Sequence, residues 1–353
     1  MQEITHNRIQ QLDKSDMLSK LTGFSEQVQK AWEIGIQAEL SIQAKKVTNI
    51  VVSGMGGSAI GGDLLRNCLA DEVALPILVN RYYFLPKFVN SQSLVFISSY
   101  SGETEESLSA YKDANNKGAQ IVCISSGGTL SEWAKRDRHT LVKIPTNYPP
   151  RTALGFLTLP MVAILSRLKL VGDFSAKVRE NVDILREDAE RYHPNESTGN
   201  LAQELAGKLY QKIPLIYSSV QGYEAVALRW KGQMSENAKV LAFSNCFPEL
   251  NHNEIVGWGL QRELQERLQV IYLRDRQDFV RVQRRMEITK EILAKETAPV
   301  LEVYAHGQSL LARMFSLICL GDFVSYYLAI LNGVDPTPVE KIQFLKNRLK
   351  EDV

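Results

Sequence analysis

A strand-like run enters a turn crowded with glycine at Val51–Leu65, VVSGMGGSAIGGDLL, and the pattern then changes to that of an amphipathic helix. Glycines 54, 56 and 57 allow the backbone to turn sharply and to approach a ligand closely. The first peptide N–H groups of the following helix point at the same place and add a partial positive charge. Ser58 adds a hydroxyl donor. The segment therefore predicts an anion-binding turn at the end of a strand.

A second strand, Leu94–Ser98, leads into a hydroxyl-rich turn, SYSGET, that contains Ser99, Ser101 and Thr104. The carboxyl ends of parallel strands share one edge of a sheet, and ligands bind beyond that edge. Neutral hydroxyl and peptide donors with few cations suit a phosphate monoester on a small molecule. The two turns together therefore predict a phosphate site.

Two other interpretations of the glycine turn stay open at this point. The motif GMGGSAIGG has neither the GxGxxG spacing of dinucleotide folds nor the terminal Lys-Ser/Thr of a P-loop, which disfavours a nucleotide. A tight strand-to-helix turn without any ligand remains the other alternative.

Length and charge limit the function classes. At 353 residues and 44% hydrophobic side chains, the chain can bury two cores of ordinary domain size. Its 41 Lys and Arg nearly cancel 40 Asp and Glu, so no basic field favours nucleic acid and a small-molecule partner is expected. The charged stretch 274–295 carries both signs and indicates a solvated helix face.

The remaining composition indicates a cytoplasmic protein without metal or cofactor. No CxxC pair occurs, and the single cysteines are typical of buried thiols in a reducing compartment. Residues 1–20 lack the apolar core of a signal peptide, and no uninterrupted apolar run reaches about eighteen residues, so no membrane span is expected. The five histidines show no HExxH or comparable ligand spacing. The cysteines are Cys68, Cys123, Cys246 and Cys319.

Strand-like and helix-like patterns alternate along most of the chain, which predicts an α/β fold with parallel sheets. The predicted strands are Asn49–Ser53, Leu75–Val79, Leu94–Ser98, Ala119–Ile124, Thr140–Ile144, Pro214–Ser218, Val240–Asn245, Val270–Leu273 and Val300–Val303. The predicted domains are an N-terminal helical arm at 1–24, a first domain at 25–168 with the phosphate turns, a connecting helix and linker at 169–199, and a second domain at 200–353 with a C-terminal helix. The second half lacks the glycine motif.

Five motifs together resemble the bifunctional phosphoglucose/phosphomannose isomerase family from about residue 25 to the carboxyl terminus. They are GMGGSAIGGD, SYSGETEE, PPRTALG, RWKGQMSENAK and PELNHNEIVGW. The resemblance implies two sugar isomerase (SIS) domains, each a three-layer αβα sandwich with a central, mainly parallel sheet. It also implies a homodimer with active sites at the subunit interface, and interconversion of glucose 6-phosphate and mannose 6-phosphate with fructose 6-phosphate.

Such an isomerisation moves a proton between C1 and C2 through a cis-enediol, so it needs a base, a group that relays the ring-opening protons, and cations near the enediolate. By resemblance, Glu236 matches the catalytic glutamate; its alternative is a surface glutamate paired with Lys239. His252 matches the ring-opening histidine, which this family is expected to supply from the neighbouring subunit. Imidazole titrates near neutral pH and suits that task.

Further residues follow from the resemblance. Arg151 matches the arginine near the C1 and C2 oxygens, with a phosphate role or a helix-entry salt bridge as alternatives. A lysine near the carboxyl terminus is also expected, and spacing favours Lys346 over Lys341. The threonine that the family has shortly before that lysine is replaced by Val339, although Thr337 is close by.

Phosphate contacts are carried over to five residues of the two turns, Gly57, Ser58, Ser99, Ser101 and Thr104. Two other function classes remain to be compared. A non-catalytic sugar-phosphate regulator would leave Glu236 and His252 without a role. An amidotransferase acting on fructose 6-phosphate would need an amino-terminal nucleophilic cysteine, and this chain starts Met-Gln.

Overall fold

The computed structural model describes residues 4–195 and 199–351, and part of the predicted linker therefore lies outside the described residues. The helices are α1 His6–Leu12, α2 Met17–Thr22, α3 Phe24–Gln37, α4 Gly57–Leu69, α5 Glu105–Asn116, α6 Gly128–Arg136, α7 Leu154–Arg167, α8 Ser175–Arg191, α9 Leu201–Leu209, α10 Val220–Glu236, α11 Arg262–Gln265, α12 Val280–Leu293, α13 Leu310–Asn332 and α14 Glu340–Glu351. Short 3-10 segments occur at Ala44–Lys46, Pro150–Thr152, Glu249–His252 and Glu254–Gly257.

The strands form two parallel sheets, one in each half of the chain. They are β1 Asn49–Ser53, β2 Ile77–Asn80, β3 Ser93–Ser98, β4 Gln120–Ser125, β5 Thr140–Lys143, β6 Ile213–Ser219, β7 Phe243–Phe247, β8 Leu268–Arg274 and β9 Leu301–Tyr304. The first sheet has the order β2-β1-β3-β4-β5 and the second has the order β7-β6-β8-β9. The predicted α/β class with parallel sheets is therefore confirmed.

Alternate residues of each central strand face two different cores, which makes each half a three-layer αβα sandwich. In β3, Leu94 and Phe96 face the inner helices, whereas Val95 and Ile97 pack with the outer helices α5 and α6. In the second sheet, β8 alternates in the same way between the inner core and an outer core against α12. Strands buried on both faces are nearly continuous in hydrophobicity, which is why the sequence signal was strong.

One inner core joins the two halves. The inner faces of both sheets belong to a single cluster of buried residues that includes side chains of α3, α4, α7, α8, α10 and α13. The connecting helix α8 packs against α3 and α13. The predicted domain boundaries stay a prediction, but the two sheets share this core rather than each having a separate one.

Helix α13 lies at the centre of that core. By length and composition it could cross a membrane, yet its most apolar stretch is completely buried inside the protein, as in the core helix of a soluble fold. The sequence did not single it out because Arg313 and Asp322 interrupt its apolar run.

The predicted arm is packed against α13 rather than projecting from the protein. Tyr326 of α13 donates its hydroxyl hydrogen to Asp13 over 3.1 Å. The side-chain Nε of Arg8 donates to the carbonyl of Ile330 over 2.8 Å.

Two predicted strands are displaced towards the carboxyl terminus, and one of them is Leu75–Val79, which the structure places at β2 Ile77–Asn80. The sequence predicts Val240–Asn245, but β7 spans Phe243–Phe247. The apolar side chains of Val240 and Leu241 instead line a cleft beside Glu236, so the apolar run serves a site and not a sheet.

Candidate functional site

The glycine turn ends β1 and begins α4, and it is closely covered on two sides. Gly56 has a φ of +50°, which favours glycine. A Cβ added at Gly54 would lie 2.8 Å from the Ser98 carbonyl oxygen, and one at Gly57 would lie 2.9 Å from the Pro150 carbonyl oxygen. These glycines are therefore needed for the turn to fit between the second turn and the segment that carries Arg151.

The two predicted phosphate turns meet. The Tyr100 peptide N–H donates to Ser58 Oγ over 3.3 Å. Ser99 Oγ donates to Thr104 Oγ1 over 3.1 Å. Ser58 and Ser99 are buried, while Ser101 is exposed at the rim and accepts a hydrogen bond from the Glu103 peptide N–H over 3.2 Å. The structure thus brings the hydroxyls of β1 and β3 ends together, as the sequence predicts.

Arg151 is 4% exposed and joins three parts of the site. Its Nε donates to Asn237 Oδ1 over 2.6 Å, and its Nη2 donates to the carbonyls of Pro336 and Thr337 over 2.8 Å each. Its Nη1 lies 3.5 Å from Glu236 Oε2. Burial lowers the pKa of Arg151, and the nearby Glu236 carboxylate opposes that shift. The guanidinium is therefore held in one orientation with one edge facing the candidate base.

Buried polar groups hold the Arg151 turn from behind. Arg229 Nη2 donates to the Arg151 carbonyl over 3.0 Å and to Asp322 Oδ2 over 2.5 Å. Gln233 donates to the other carboxylate oxygen of Asp322 over 2.9 Å. Burial raises the pKa of Asp322, and Arg229 opposes this. The helix-entry alternative for Arg151 is only part of its role, because its side chain also reaches Glu236.

Helix α3 holds the same turn through one amide side chain. Gln27 Nε2 donates to the Thr152 carbonyl over 2.8 Å, and its Oε1 accepts from the Gly155 peptide N–H over 2.7 Å. Gln27 is 2% exposed, so these bonds compete little with water. The Arg151 turn is thereby held by the inner helical layer.

Glu236 ends α10 and lines two adjoining clefts; its side chain is 32% exposed. The cleft towards the glycine turn has a volume of about 250 Å³, and the cleft towards α14 has a volume of about 640 Å³. The first cleft is lined by Gly56, Gly57, Arg81, Arg151 and Lys231, among others. The second is lined by Lys239, Leu241, Asp335, Val339 and Lys341, among others. A carboxylate at the junction of two open clefts can reach a small-molecule ligand from either side.

Lys239 does not pair with the Glu236 carboxylate, so the surface-pair alternative for Glu236 is not what the structure contains. Its Nζ donates to three carbonyl oxygens, those of Glu236, Pro336 and Pro338, the last over 2.6 Å. An ammonium group has three donors, and all three are used. Partial desolvation of this ammonium group, with the Arg151 cation nearby, lowers the pKa of Lys239, although the residue as a whole is exposed.

Two predicted catalytic residues lie apart from the Glu236 clefts of their own subunit. His252 ends the 3-10 segment Glu249–His252 and is exposed, and Lys346 is exposed on α14. Neither is among the described residues that line the two clefts, whereas Lys341 is. Thr337 Oγ1 is buried and has no hydrogen-bond partner among the described residues.

Comparison with known proteins decides the family. The chain is 45% identical over 336 residues to a bifunctional phosphoglucose/phosphomannose isomerase of Caldicellulosiruptor bescii, covering 95% of this chain and 99% of the relative. The chain belongs to the bifunctional phosphoglucose/phosphomannose isomerase family. A second relative of the same name, from Aquifex aeolicus, is 36% identical and is matched over 86% of this chain and 90% of its own length.

Two further comparisons agree with this phosphoglucose/phosphomannose isomerase membership. The model of the bacterial phospho-glucose isomerase C-terminal SIS domain matches residues 198–349. A hypothetical protein from Thermus thermophilus has the same fold, with a TM-score of 0.72 at 16% identity over 96% of this chain and 90% of its own. The two sandwiches are therefore SIS domains.

Several polar residues of this candidate site are not indicated by the sequence motifs. Arg81 follows the end of β2 and lines the smaller cleft, where its guanidinium pairs with the buried Asp63 of α4. Its signal was its place just beyond a parallel strand, the same signal that identified the two turns. Asn237 lies inside the SENAK motif and fixes Arg151. Within residues 4–195 and 199–351, no group of three or more His, Cys, Asp or Glu residues is arranged to hold a metal ion.

Proposed function

We propose that this protein interconverts glucose 6-phosphate and mannose 6-phosphate with fructose 6-phosphate by proton transfer through a cis-enediol. The observation that carries the proposal is the 3.5 Å contact of Arg151 Nη1 with Glu236 Oε2 beside the glycine turn. A carboxylate base, a fixed cation and a phosphate-type turn therefore line one cleft. The family membership supplies the substrate class.

Glu236 is the base of this mechanism. Its carboxylate takes the proton from C1 or C2 and returns it to the other carbon, which exchanges the carbonyl between the two positions. Arg151 stabilises the negative charge that develops on the C1 and C2 oxygens. Because other hydrogen bonds already orient the guanidinium, it needs no reorganisation when the charge appears.

The phosphate is held by the two joined turns, through Gly57, Ser58, Ser99, Ser101 and Thr104. The start of α4 at Gly57 adds the positive end of the helix dipole. Fixing the phosphate also places C1 and C2 relative to Glu236, so it raises the rate as well as the affinity.

Ring opening is assigned to His252 of a second subunit. In one chain His252 is exposed and lies outside the clefts that Glu236 lines, so it is available to a neighbouring molecule. A homodimer with active sites at its interface follows from this assignment. The C-terminal lysine is either Lys346, which sequence spacing favours, or Lys341, which lines the larger cleft of its own chain.

One base serves both aldoses in this proposal. Rotation about the C2–C3 bond of the open chain presents either face of the enediol to Glu236, so the proton returns to C2 in either configuration. Solvent deuterium should then enter C2 of both glucose 6-phosphate and mannose 6-phosphate. Labelling of only one aldose would contradict a shared base.

The protein acts in the cytoplasm in this proposal, since its four cysteines are free thiols and none is paired in a disulfide. Its domains are the segments 25–168 and 200–353, joined through the connecting helix. A non-catalytic sugar-phosphate regulator is not favoured, because such a protein does not need the positioned pair of Glu236 and Arg151.

The test is a coupled assay that supplies fructose 6-phosphate and detects each aldose phosphate separately, in the presence of EDTA. The variants are E236Q and, as a matched control for the lost charge, E204Q on the exposed surface of α9. We expect both products from wild type and E204Q, and loss of both together in E236Q. Wild-type protein that binds fructose 6-phosphate without forming either product would move the chain to the regulator class. The variants K341A and K346A, in the same assay, decide which lysine contributes.

A further inference from the structure

The segment that carries His252 is anchored to the second sheet at several points. We call residues 248–258 the histidine loop. Leu250 is 1% exposed and packs in the outer core of the second sheet. Asn251 Nδ2 donates to Thr289 Oγ1 of α12 over 2.8 Å. The loop therefore lies against the sheet immediately before His252.

Glu254 anchors the loop immediately after His252. Its Oε1 accepts a hydrogen bond from the hydroxyl of Tyr217, and its Oε2 accepts from Asn245 Nδ2 over 2.6 Å. Tyr217 is in β6 and Asn245 is in the neighbouring strand β7, paired with it in register. Both carboxylate oxygens are thus used to join the loop to two strands.

The Tyr217 bond lies in a nearly dry environment, which increases its contribution. Tyr217 is 2% exposed, and burial together with the bond to Glu254 raises the pKa of its hydroxyl. The hydroxyl therefore remains a hydrogen-bond donor at neutral pH. Hydrogen bonds to charged groups are stronger than neutral ones, particularly where water is excluded.

Between these two anchors the loop exposes two side chains, His252 and Asn253, and the Asn253 amide is hydrogen-bonded within the loop. Asn251 and Glu254 turn toward the sheet, while His252 is exposed. The surface that continues the loop is apolar as well as exposed, since Val256 is 83% and Leu260 is 93% accessible in the single chain. An anchored loop with this surface presents an imidazole outward in a defined position.

We propose that Glu254 is a positioning residue for His252, acting by holding the histidine loop on β6 and β7. The inference rests on the proposed function, in which His252 gives a proton to the ring oxygen and takes one from the anomeric hydroxyl. Loss of the Glu254 carboxylate releases the loop after His252 and misplaces the imidazole. Ring opening then slows, whereas proton transfer between C1 and C2 at Glu236 remains.

The proposal separates two chemical steps, and a substrate analogue can separate them as well. In 5-deoxyfructose 6-phosphate the oxygen that closes the furanose ring is missing and O6 carries the phosphate, so the ketose stays open. The chain length and the phosphate are unchanged. Enolisation of either ketose is measured as incorporation of solvent deuterium at C1 by NMR.

The variants are E254A, E254Q, H252A and the control E249A. Glu249 is an exposed carboxylate of the same loop whose Oε1 contacts Asn253. With fructose 6-phosphate, we expect H252A and E254A to incorporate deuterium at C1 about a hundredfold more slowly than wild type. An effect of this size is typical of a lost or misplaced acid–base group. With the 5-deoxy analogue, H252A and E254A should incorporate deuterium at a rate within about threefold of wild type. E249A should match wild type with either ketose.

The conservative variant tests whether the role is structural support by hydrogen bonds. A glutamine at position 254 keeps an acceptor for one partner and offers an N–H to the other, and the Tyr217 hydroxyl can rotate to accept it. We expect E254Q to retain activity on fructose 6-phosphate within about tenfold of wild type. If E254Q is as slow as E254A, the negative charge itself is required and the positioning role is wrong.

Hydrogen exchange provides a second, independent measurement. The amides of Asn251 and Val256 donate to carbonyls inside the loop, over 3.1 Å each, and report its order. Their exchange should be faster in E254A and unchanged in H252A and E249A. If amide exchange at these two positions is unchanged in E254A, the proposal is wrong, whatever rates are measured with the two ketoses. It is also wrong if E254A loses activity equally on both ketoses. A wild type that enolises neither ketose refutes the proposed isomerase activity instead, and the exchange data still decide the role of Glu254.

Discussion

The side chain and the backbone of Lys239 make separable contributions to the site. The ammonium group donates to the carbonyls of Glu236, Pro336 and Pro338, and so holds the loop that leads into α14 against the end of α10. The backbone has a φ of +60°, in the left-handed region that costs an L-residue about 1–2 kcal/mol relative to glycine. Replacing Lys239 by alanine and by glycine therefore separates the two effects.

The magnitudes follow from the contacts. A hydrogen bond from a charged donor contributes about 1.5–3 kcal/mol when water is excluded. Lys239 is exposed, so water replaces much of what is lost, and about 2 kcal/mol remains for the three bonds together. Loss of these bonds should therefore raise the equilibrium constant for opening of the loop about 30-fold. The glycine variant should recover about 1 kcal/mol of global stability and none of the loop order.

The assay compares K239A, K239G and the control K208A, which removes an exposed lysine of α9. Amide hydrogen exchange at Thr337 and Ile342, whose N–H groups are bonded within this segment, reports the loop. We expect exchange to be about 30-fold faster in both Lys239 variants, and kcat to fall equally in K239A and K239G, because the two variants lose the same three contacts. Denaturant unfolding should rank K239G above K239A by about 1 kcal/mol.

The glycine variant is also the most direct test of this reasoning. If K239G restores slow exchange and full activity, backbone strain and not the ammonium group controls the loop. If both variants match K208A in exchange and activity, the three carbonyl contacts contribute nothing to the site.

Three other predictions follow from the structure. R151M should lower kcat about 10²–10³-fold in the coupled assay, because the variant loses the cation beside the enediolate. Circular dichroism of the variant checks that the fold is kept. G57A places a methyl group 2.9 Å from the Pro150 carbonyl and should raise KM for fructose 6-phosphate about tenfold, whereas G127A has open space and should leave KM unchanged. Burial raises the pKa of Asp278 to about 6, so the folded state binds this proton more tightly than the unfolded chain and stability falls as pH rises from about 4 to 6. We expect D278N to abolish that fall. The free energy of unfolding of D278N minus that of wild type, measured in urea, should therefore be larger at pH 7.5 than at pH 4 by at most about 3 kcal/mol. An equal difference at both pH values would contradict this.

The meeting of the two predicted phosphate turns follows from the sequence because a general rule of parallel sheets applies to them. The hydrophobic runs of β1 and β3 were clear, and strands of such a sheet end at a common edge. The structure pairs Ser53 of β1 with Ile97 of β3, so the turns that follow are neighbours. The 3.3 Å bond between Tyr100 and Ser58 is the direct result.

Contacts that depend on one local backbone angle were not predictable. The spacing of Glu236 and Lys239 favours a side-chain pair on one helix face, and that interpretation was reasonable from the sequence. Lys239 instead lies beyond the end of α10 in a left-handed conformation, and its side chain donates to carbonyl oxygens. Lysine is not a residue that signals such a conformation, so no pattern in the sequence indicated it.

Arg81 shows a different limit. It reaches Asp63 from a neighbouring element, 18 residues away along the chain, and although Asp63 ends the motif GMGGSAIGGD, nothing in the sequence links it to Arg81. Only the position of β2 at the edge of the first sheet, next to β1, brings the pair to the cleft. Long-range polar pairs of this kind can be predicted only when the order of the strands in the sheet is known.

The candidate base lies where the two SIS domains meet, and this has a consequence for catalysis. The first domain provides the phosphate turns and Arg151, while the second provides Glu236 and the loop that Arg151 and Lys239 hold. In the proposed mechanism the distance between phosphate and base is therefore set by the packing of α4 against α10, which includes the 3.2 Å bond from the Ala225 peptide N–H to Asn67 Oδ1. A shift of about 1 Å at such a joint is enough to cost about a hundredfold in rate. In the proposed mechanism the shared inner core is thus part of the catalytic geometry, because buried helices of both halves fix the position of Glu236 relative to the two turns.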